Sequence, residues 1–175
     1  EEMSDLEWGS IILQIIIILY TYQKTFNMTH NDLHSNNIMY IKTDKQFLYY
    51  KVKNNYYKVP TFGRIFKLID FGRAIYKFRG EFICSDSYHK DGDAATLYNC
   101  EPYMNQNKPR LEPNYSFDLC RLGCSLLDFF IDELEENPNN PSLGAKRIIA
   151  EWCIDDKDRN ILYKKNMRER YPDFK

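Results

Sequence analysis

Two short stretches hold the side chains that chemistry needs. His30-Asn31-Asp32-Leu33-His34-Ser35-Asn36-Asn37 fits the pattern H-x-D-L-x-x-x-N, and Leu68-Ile69-Asp70-Phe71-Gly72 sets D-F-G at the end of an apolar run. This combination suits phosphoryl transfer, which needs a carboxylate near the acceptor hydroxyl and metal ions to neutralise phosphate oxygens. Asp32 would orient the hydroxyl or take its proton. Asn37, further along the same tight loop, would offer a neutral amide oxygen to Mg2+, and Asp70 would add a carboxylate. Magnesium takes a few such oxygens and completes its shell with water and phosphate. Gly72 would let the chain turn sharply after Asp70.

Each residue also has a plainer use. Asp32 alone could cap a helix end, Asn37 could be a turn residue, and Asp70 could close a strand. His30 reads as a packing residue beneath the loop. His34, next to the acceptor position, could touch substrate or phosphate, and His89 has no such context. The joint occurrence is what counts: the four fixed residues recur by accident in roughly one chain of this length in a thousand, and a downstream D-F-G lowers that about a hundredfold.

These loops need elements to hold them. An acidic start leads through Trp8-Gly9-Ser10 into IILQIIIILYTYQKTF. Its length favours helix, although isoleucine alone favours strand. A helix apolar on nearly every face belongs inside a domain, and this one should end near Asn27 to Thr29. From Ile38 the runs IMYI, QFLYYKV, YYKV and RIFKLI predict a small antiparallel sheet, with a hairpin turn at Asn54-Asn55 and a second break over Pro60 to Gly63. Residues 73–114 read as a long irregular segment, which in a compact domain is usually functional. Its Asp86, Asp91 and Asp93 form either a solvated turn or an attraction for a basic peptide. Helical spacing returns over Tyr115 to Leu134, a loop follows at Asn137 to Pro141, and further helices are expected over Leu143 to Cys153 and Arg159 to Arg170.

Composition narrows the classes. The 175 residues carry 24 basic and 25 acidic side chains, so nothing here has the cationic excess that a nucleic-acid backbone demands. The longest apolar run, Ile11 to Tyr20, is broken by Gln14 and is shorter than the ~20 residues of a membrane span. Five scattered cysteines, without a CxxC pair, read as free thiols of a reducing compartment rather than a zinc site, although Cys120 and Cys124 could share a helix face. The expectation is an intracellular protein of one domain, α+β and mainly α.

With these residues in view, the sequence resembles the protein kinase superfamily, and more narrowly the haspin-like atypical kinases, including relatives from large DNA viruses. HNDLHSNNIMY carries that likeness, with His34 where most protein kinases have lysine, as does the tyrosine-rich stretch between Asn37 and Asp70. FDLCRLGCSLLDF is similar to the helix whose aspartate, here Asp118, would brace the catalytic loop through its backbone amides. The resemblance implies a kinase C-terminal lobe over residues 1–175: catalytic loop 30–37, extended hairpin region 38–69, D-F-G 70–72, an activation-type segment 73–114, and a bracing helix over about 115–134. It implies ATP and Mg2+ as cofactors, a protein serine or threonine hydroxyl as acceptor, and the host cytoplasm or nucleus as location if the source is viral.

Several features depart from the pattern. Asn31 stands where H-R-D has arginine, so no activation-loop phosphate would find its usual partner there. No A-P-E follows D-F-G. No G-x-G-x-x-G and no V-A-I-K lysine occur, and the 31 residues ahead of Asp32 cannot build a nucleotide-gripping lobe. The chain alone is therefore expected to have little activity, with the missing lobe and the charged end KKNMRERYPDFK marking a longer protein. Two other readings stay open: a small-molecule phosphotransferase of the aminoglycoside or choline type, and a catalytically silent interaction module.

Overall fold

Ser4 opens the first helix. Its hydroxyl accepts the Glu7 N–H while the Glu7 carboxylate accepts the Ser4 N–H, a reciprocal cap that satisfies two orphan donors. The computed structural model describes residues 3–162. Helix α1 runs Asp5–Phe26 and ends where Asn27 turns into the left-handed region (φ 46°), its N–H closing on the Gln23 carbonyl. By length and composition α1 could cross a membrane. Here it is the spine of the core: Ile11, Ile12, Ile15 and Leu19 pack with Leu33, Phe66, Leu68, Leu122, Leu127 and Ile149.

Gln14, which interrupts the apolar run, is fully buried and fully used. Its Oε1 accepts the Phe66 N–H at 3.1 Å, and its Nε2 donates to Ser10 Oγ and the Arg64 carbonyl. One polar side chain thus fixes the helix against the strand that ends in Asp70. Leaving that strand N–H unpaired in the core would cost about 1–3 kcal/mol.

Four strands follow: β1 (Ile38–Lys42), β2 (Phe47–Val52), β3 (Asn55–Pro60) and β4 (Arg64–Leu68). They form two separate antiparallel ladders rather than one sheet. β1 pairs with β4, Ile38 opposite Leu68, and β2 pairs with β3, Phe47 opposite Pro60. The break over Pro60 to Gly63 divides them, and Phe62 and Gly63 both take positive φ there. The hairpin turn falls one residue earlier than expected, on Lys53-Asn54, because Val52 pairs with Asn55; Lys53 takes the positive φ (55°).

The segment after D-F-G contains a short hairpin, β5 (Tyr76–Phe78) with β6 (Glu81–Ile83), that its fading periodicity does not announce. The rest is turns, tightened where Gly92 meets Ser87: a Cβ on Gly92 would lie 2.3 Å from the Ser87 carbonyl oxygen. Thr29 and Ile75 exchange two backbone hydrogen bonds, at 2.9 and 3.0 Å, and so pin this segment beside the start of the His30–Asn37 loop.

The helix expected over residues 115–134 is two helices. α2 (Ser116–Leu126) passes into a 3-10 turn, and α3 (Ile131–Glu136) starts afresh. Phe130 leaves the helical track (φ −149°, ψ 10°) and is buried edge-on against Trp8, their ring centroids 5.9 Å apart. Packing on α1 outweighs continuation of the helix. α4 (Gly144–Glu151) lies within the span expected for it, its Ala145 N–H donating to Asp5 at 3.0 Å. Over 159–162 a bridge and bends replace the expected helix, and the remainder of that expectation lies outside the described residues. The result is an α+β fold with small antiparallel sheets. All five cysteines are free.

Candidate active site

The loop between α1 and β1 is held from below by one buried carboxylate. Asp118, wholly inaccessible on the first turn of α2, accepts the His30 N–H on Oδ2 and the Asn31 N–H on Oδ1, both at 2.8 Å. Burial pushes this carboxyl above its ordinary range, although the two N–H donors pull the other way.

His30 joins the two motifs. It is buried, accepts the Asp32 N–H on Nδ1, and meets the Ile69 carbonyl through Nε2 at 3.0 Å, a pattern that assigns the ring proton to Nε2. Its ring also packs on Phe71, centroid to centroid 5.1 Å. Asn31 takes φ 65°, a conformation that asparagine tolerates better than most residues. Its Nδ2 donates to the Arg73 carbonyl at 3.0 Å and its Oδ1 accepts the Tyr98 hydroxyl at 2.7 Å. The asparagine at the usual arginine position is thus a buried tie between the loop and the segment beyond D-F-G.

Asn37 closes the loop. Its Nδ2 donates to the Asp32 carbonyl at 2.9 Å and lies 3.2 Å from His34 Nε2. The amide nitrogen is committed, and Oδ1 remains as the acceptor, which is the atom a hard cation would need. The Asn37 carbonyl accepts the Ile69 N–H at 3.0 Å, one step beyond the Ile38–Leu68 pair, so Asp70 follows directly on the strand end beside Asn37. Asp70 is exposed. Its Oδ1 accepts the Gly72 N–H at 3.3 Å. The sharp turn expected at Gly72 is made by Asp70 itself, at φ 60°; Gly72 instead allows close approach, since a Cβ there would come within 3.2 Å of Asp70 Oδ1. Asp32, Asn37 and Asp70 therefore gather at one end of the β1–β4 ladder. Asn37 and Asp70 have the oxygen chemistry to hold Mg2+ with help from phosphate and water, and among the described residues no all-carboxylate or thiolate cage competes with them.

Two residues at this site escape sequence reasoning. Arg73 Nη1 and Arg121 Nη2 each lie 3.3 Å from Asp32 Oδ1. They sort the carboxylate: Oδ1 faces both guanidinium groups, while Oδ2 faces His34 Nε2 at 4.0 Å. Arg121 lies three residues beyond Asp118 on α2, so the shared helix face is the available signal. Arg73 directly follows Gly72 and is also paired with Asp93.

No protein-family model matches this chain, and no curated protein does. The chemistry therefore rests on the geometry alone. His34, Ser35, Arg121 and Ser125 help line a hollow of about 240 Å³ beside the loop. A larger one, about 590 Å³ between α2 and the chain after α4, includes none of these residues. Hydrogen bonding to Cys124 and then burial push the Cys120 thiol far up.

Proposed function

We propose that this chain carries the catalytic loop and metal-binding strand end of a protein-kinase-like phosphotransferase, in the manner of a kinase C-terminal lobe. Joined to a nucleotide-gripping lobe, it would transfer phosphate from ATP to a serine or threonine hydroxyl of a protein. The reading rests on one observation: the Asn37–Asp32 hydrogen bond closes the loop, and the Asn37 carbonyl accepts the N–H of Ile69, the residue before Asp70. Asp32 would receive the acceptor hydroxyl on Oδ2, the oxygen its arginines leave open. Arg73 and Arg121 hold that carboxylate in orientation, Asp118 holds the loop, and His30 keeps the loop in register with D-F-G. Asn37 and Asp70 would hold Mg2+, which when bound neutralises charge on the phosphate oxygens.

The test is Asp32→Asn in a protein that joins this chain to such a lobe. A positioned general base contributes about 10²–10⁴-fold. Phosphate transfer should therefore fall by at least about a hundredfold while the melting temperature holds. Undiminished transfer would refute the assignment. The two ion pairs on Asp32 favour a second reading, a silent module whose carboxylate is structural. In that case Asp32→Asn lowers the melting temperature, and Mg-ATP neither binds nor turns over.

A further inference from the structure

Beside the catalytic loop the chain builds another hollow, about 530 Å³, lined among others by Tyr88, Lys90, Tyr98, Tyr103, Lys108 and Arg110. Its charge is one-sided: three cations and no carboxylate among the described lining residues. Arg110 is paired with Glu112, whereas neither lysine has an ion-pair partner among the described residues.

The wall that carries these cations is preorganised. Asn99, buried, donates through Nδ2 to the carbonyls of Asn105, Lys108 and Pro109 at 3.1, 2.9 and 2.8 Å, and its Oδ1 accepts the Asn105 N–H at 2.6 Å. Asn99 and Leu111 close the loop with two backbone bonds of 3.0 Å. One side chain thus organises the backbone of the turn bearing Lys108 and Arg110, so a ligand there would meet a preformed turn. The floor is wired to the candidate active site: Tyr98 donates to Asn31 Oδ1 at 2.7 Å, and Tyr88 donates to the Arg73 carbonyl at 2.6 Å. With those hydroxyls committed, the floor offers mainly ring surface, and the lysines provide the polar recognition.

Two of the three acids that could have drawn a basic peptide, Asp91 and Asp93, have basic neighbours of their own. Asp93 pairs with Arg73, and Asp91 lies 3.5 Å from His89. We propose that the hollow receives an anionic side chain of a protein partner, a carboxylate or a phosphate. That this partner is the phosphate acceptor rests on the phosphotransferase reading, because Asn31, which accepts the hydroxyl of the lining residue Tyr98, immediately precedes Asp32.

Fluorescence anisotropy on the 175-residue chain tests this with three labelled peptides of equal length: glutamate-rich, phosphoserine-bearing and lysine-rich. The first two should bind, weakening as salt rises, and whichever binds tighter identifies the anion. The lysine-rich peptide should not bind. Lys108→Glu with Lys90→Glu should weaken anionic binding at least about tenfold, whereas Asp32→Asn should leave it unchanged. Should the double variant fail to fold, mass-spectrometric acylation of the unaltered chain decides the matter, since a bound peptide should shield Lys90 and Lys108. Equal binding of the lysine-rich peptide, or no shielding, overturns the proposal. Absence of phosphate transfer by the unaltered protein, with anionic binding intact, would remove only the enzyme reading.

Discussion

Removing the Asp118 carboxylate should cost more stability than any surface change, because it strands two buried donors. The His30 and Asn31 N–H groups both end on this side chain at 2.8 Å, and both residues are only 1% exposed. Each buried donor left without a partner costs about 1–3 kcal/mol, so Asp118→Ala should destabilise by about 2–6 kcal/mol. Asp118→Asn keeps one acceptor oxygen and should cost about half as much, partly offset because a neutral amide is easier to bury. The pH dependence gives a second check. Burial raises this carboxyl, so the folded chain holds the proton to higher pH than the unfolded chain does. The group's stabilising contribution is therefore full below its ordinary range and is lost as pH rises through the raised value; Asp118→Asn should flatten that slope. Urea unfolding followed by the emission of Trp8 and Trp152 measures both effects, and hydrogen exchange at the His30 and Asn31 amides localises them. A loss below about 1 kcal/mol for Asp118→Ala, with exchange at those two amides unchanged, would show that the loop is held by something else.

Three other expectations rest on particular contacts. Asn31→Arg should lower the melting temperature sharply, because a site 1% exposed with two side-chain bonds has no room for a guanidinium. Asn31→Gly, which keeps the positive φ, should cost less. Gly92→Ala should destabilise by about 1–3 kcal/mol through overpacking against the Ser87 carbonyl, measured by chemical denaturation. Ser4→Ala should cost about 1 kcal/mol as a lost helix cap. The backbone and hydroxyl of Ser4 hold the Glu7 carboxyl below its ordinary range, so that contribution is present above the ordinary value and is lost as pH falls through the lowered one. The variant keeps the Ser4 backbone N–H and should lose only the hydroxyl's part of this acid sensitivity in a pH series of melts.

What is legible in the sequence is what depends on near neighbours. His30 to Asn37 can be read as a loop because its closing bond, Asn37 to Asp32, spans five residues. The long helix and the paired strands follow from runs of apolar and aromatic residues. Arg73 and Arg121 are invisible because they reach Asp32 across 41 and 89 residues, and no local pattern encodes such a meeting. The break at Phe130 is hidden for a similar reason, since spacing sees a continuous helical face and not the Trp8 ring waiting on another helix. Asn99 reads as one more loop asparagine until its four bonds are traced to residues 105–109.

The two backbone bonds between Thr29 and Ile75 keep the stretch beyond Gly72 from swinging as a free flap. Together with the Asn31 side chain, which grips Arg73 and Tyr98, they act as a double latch whose release would disturb the loop bearing Asp32 at the same moment. Any partner that pries this stretch loose would therefore loosen the Asp32 loop along with it.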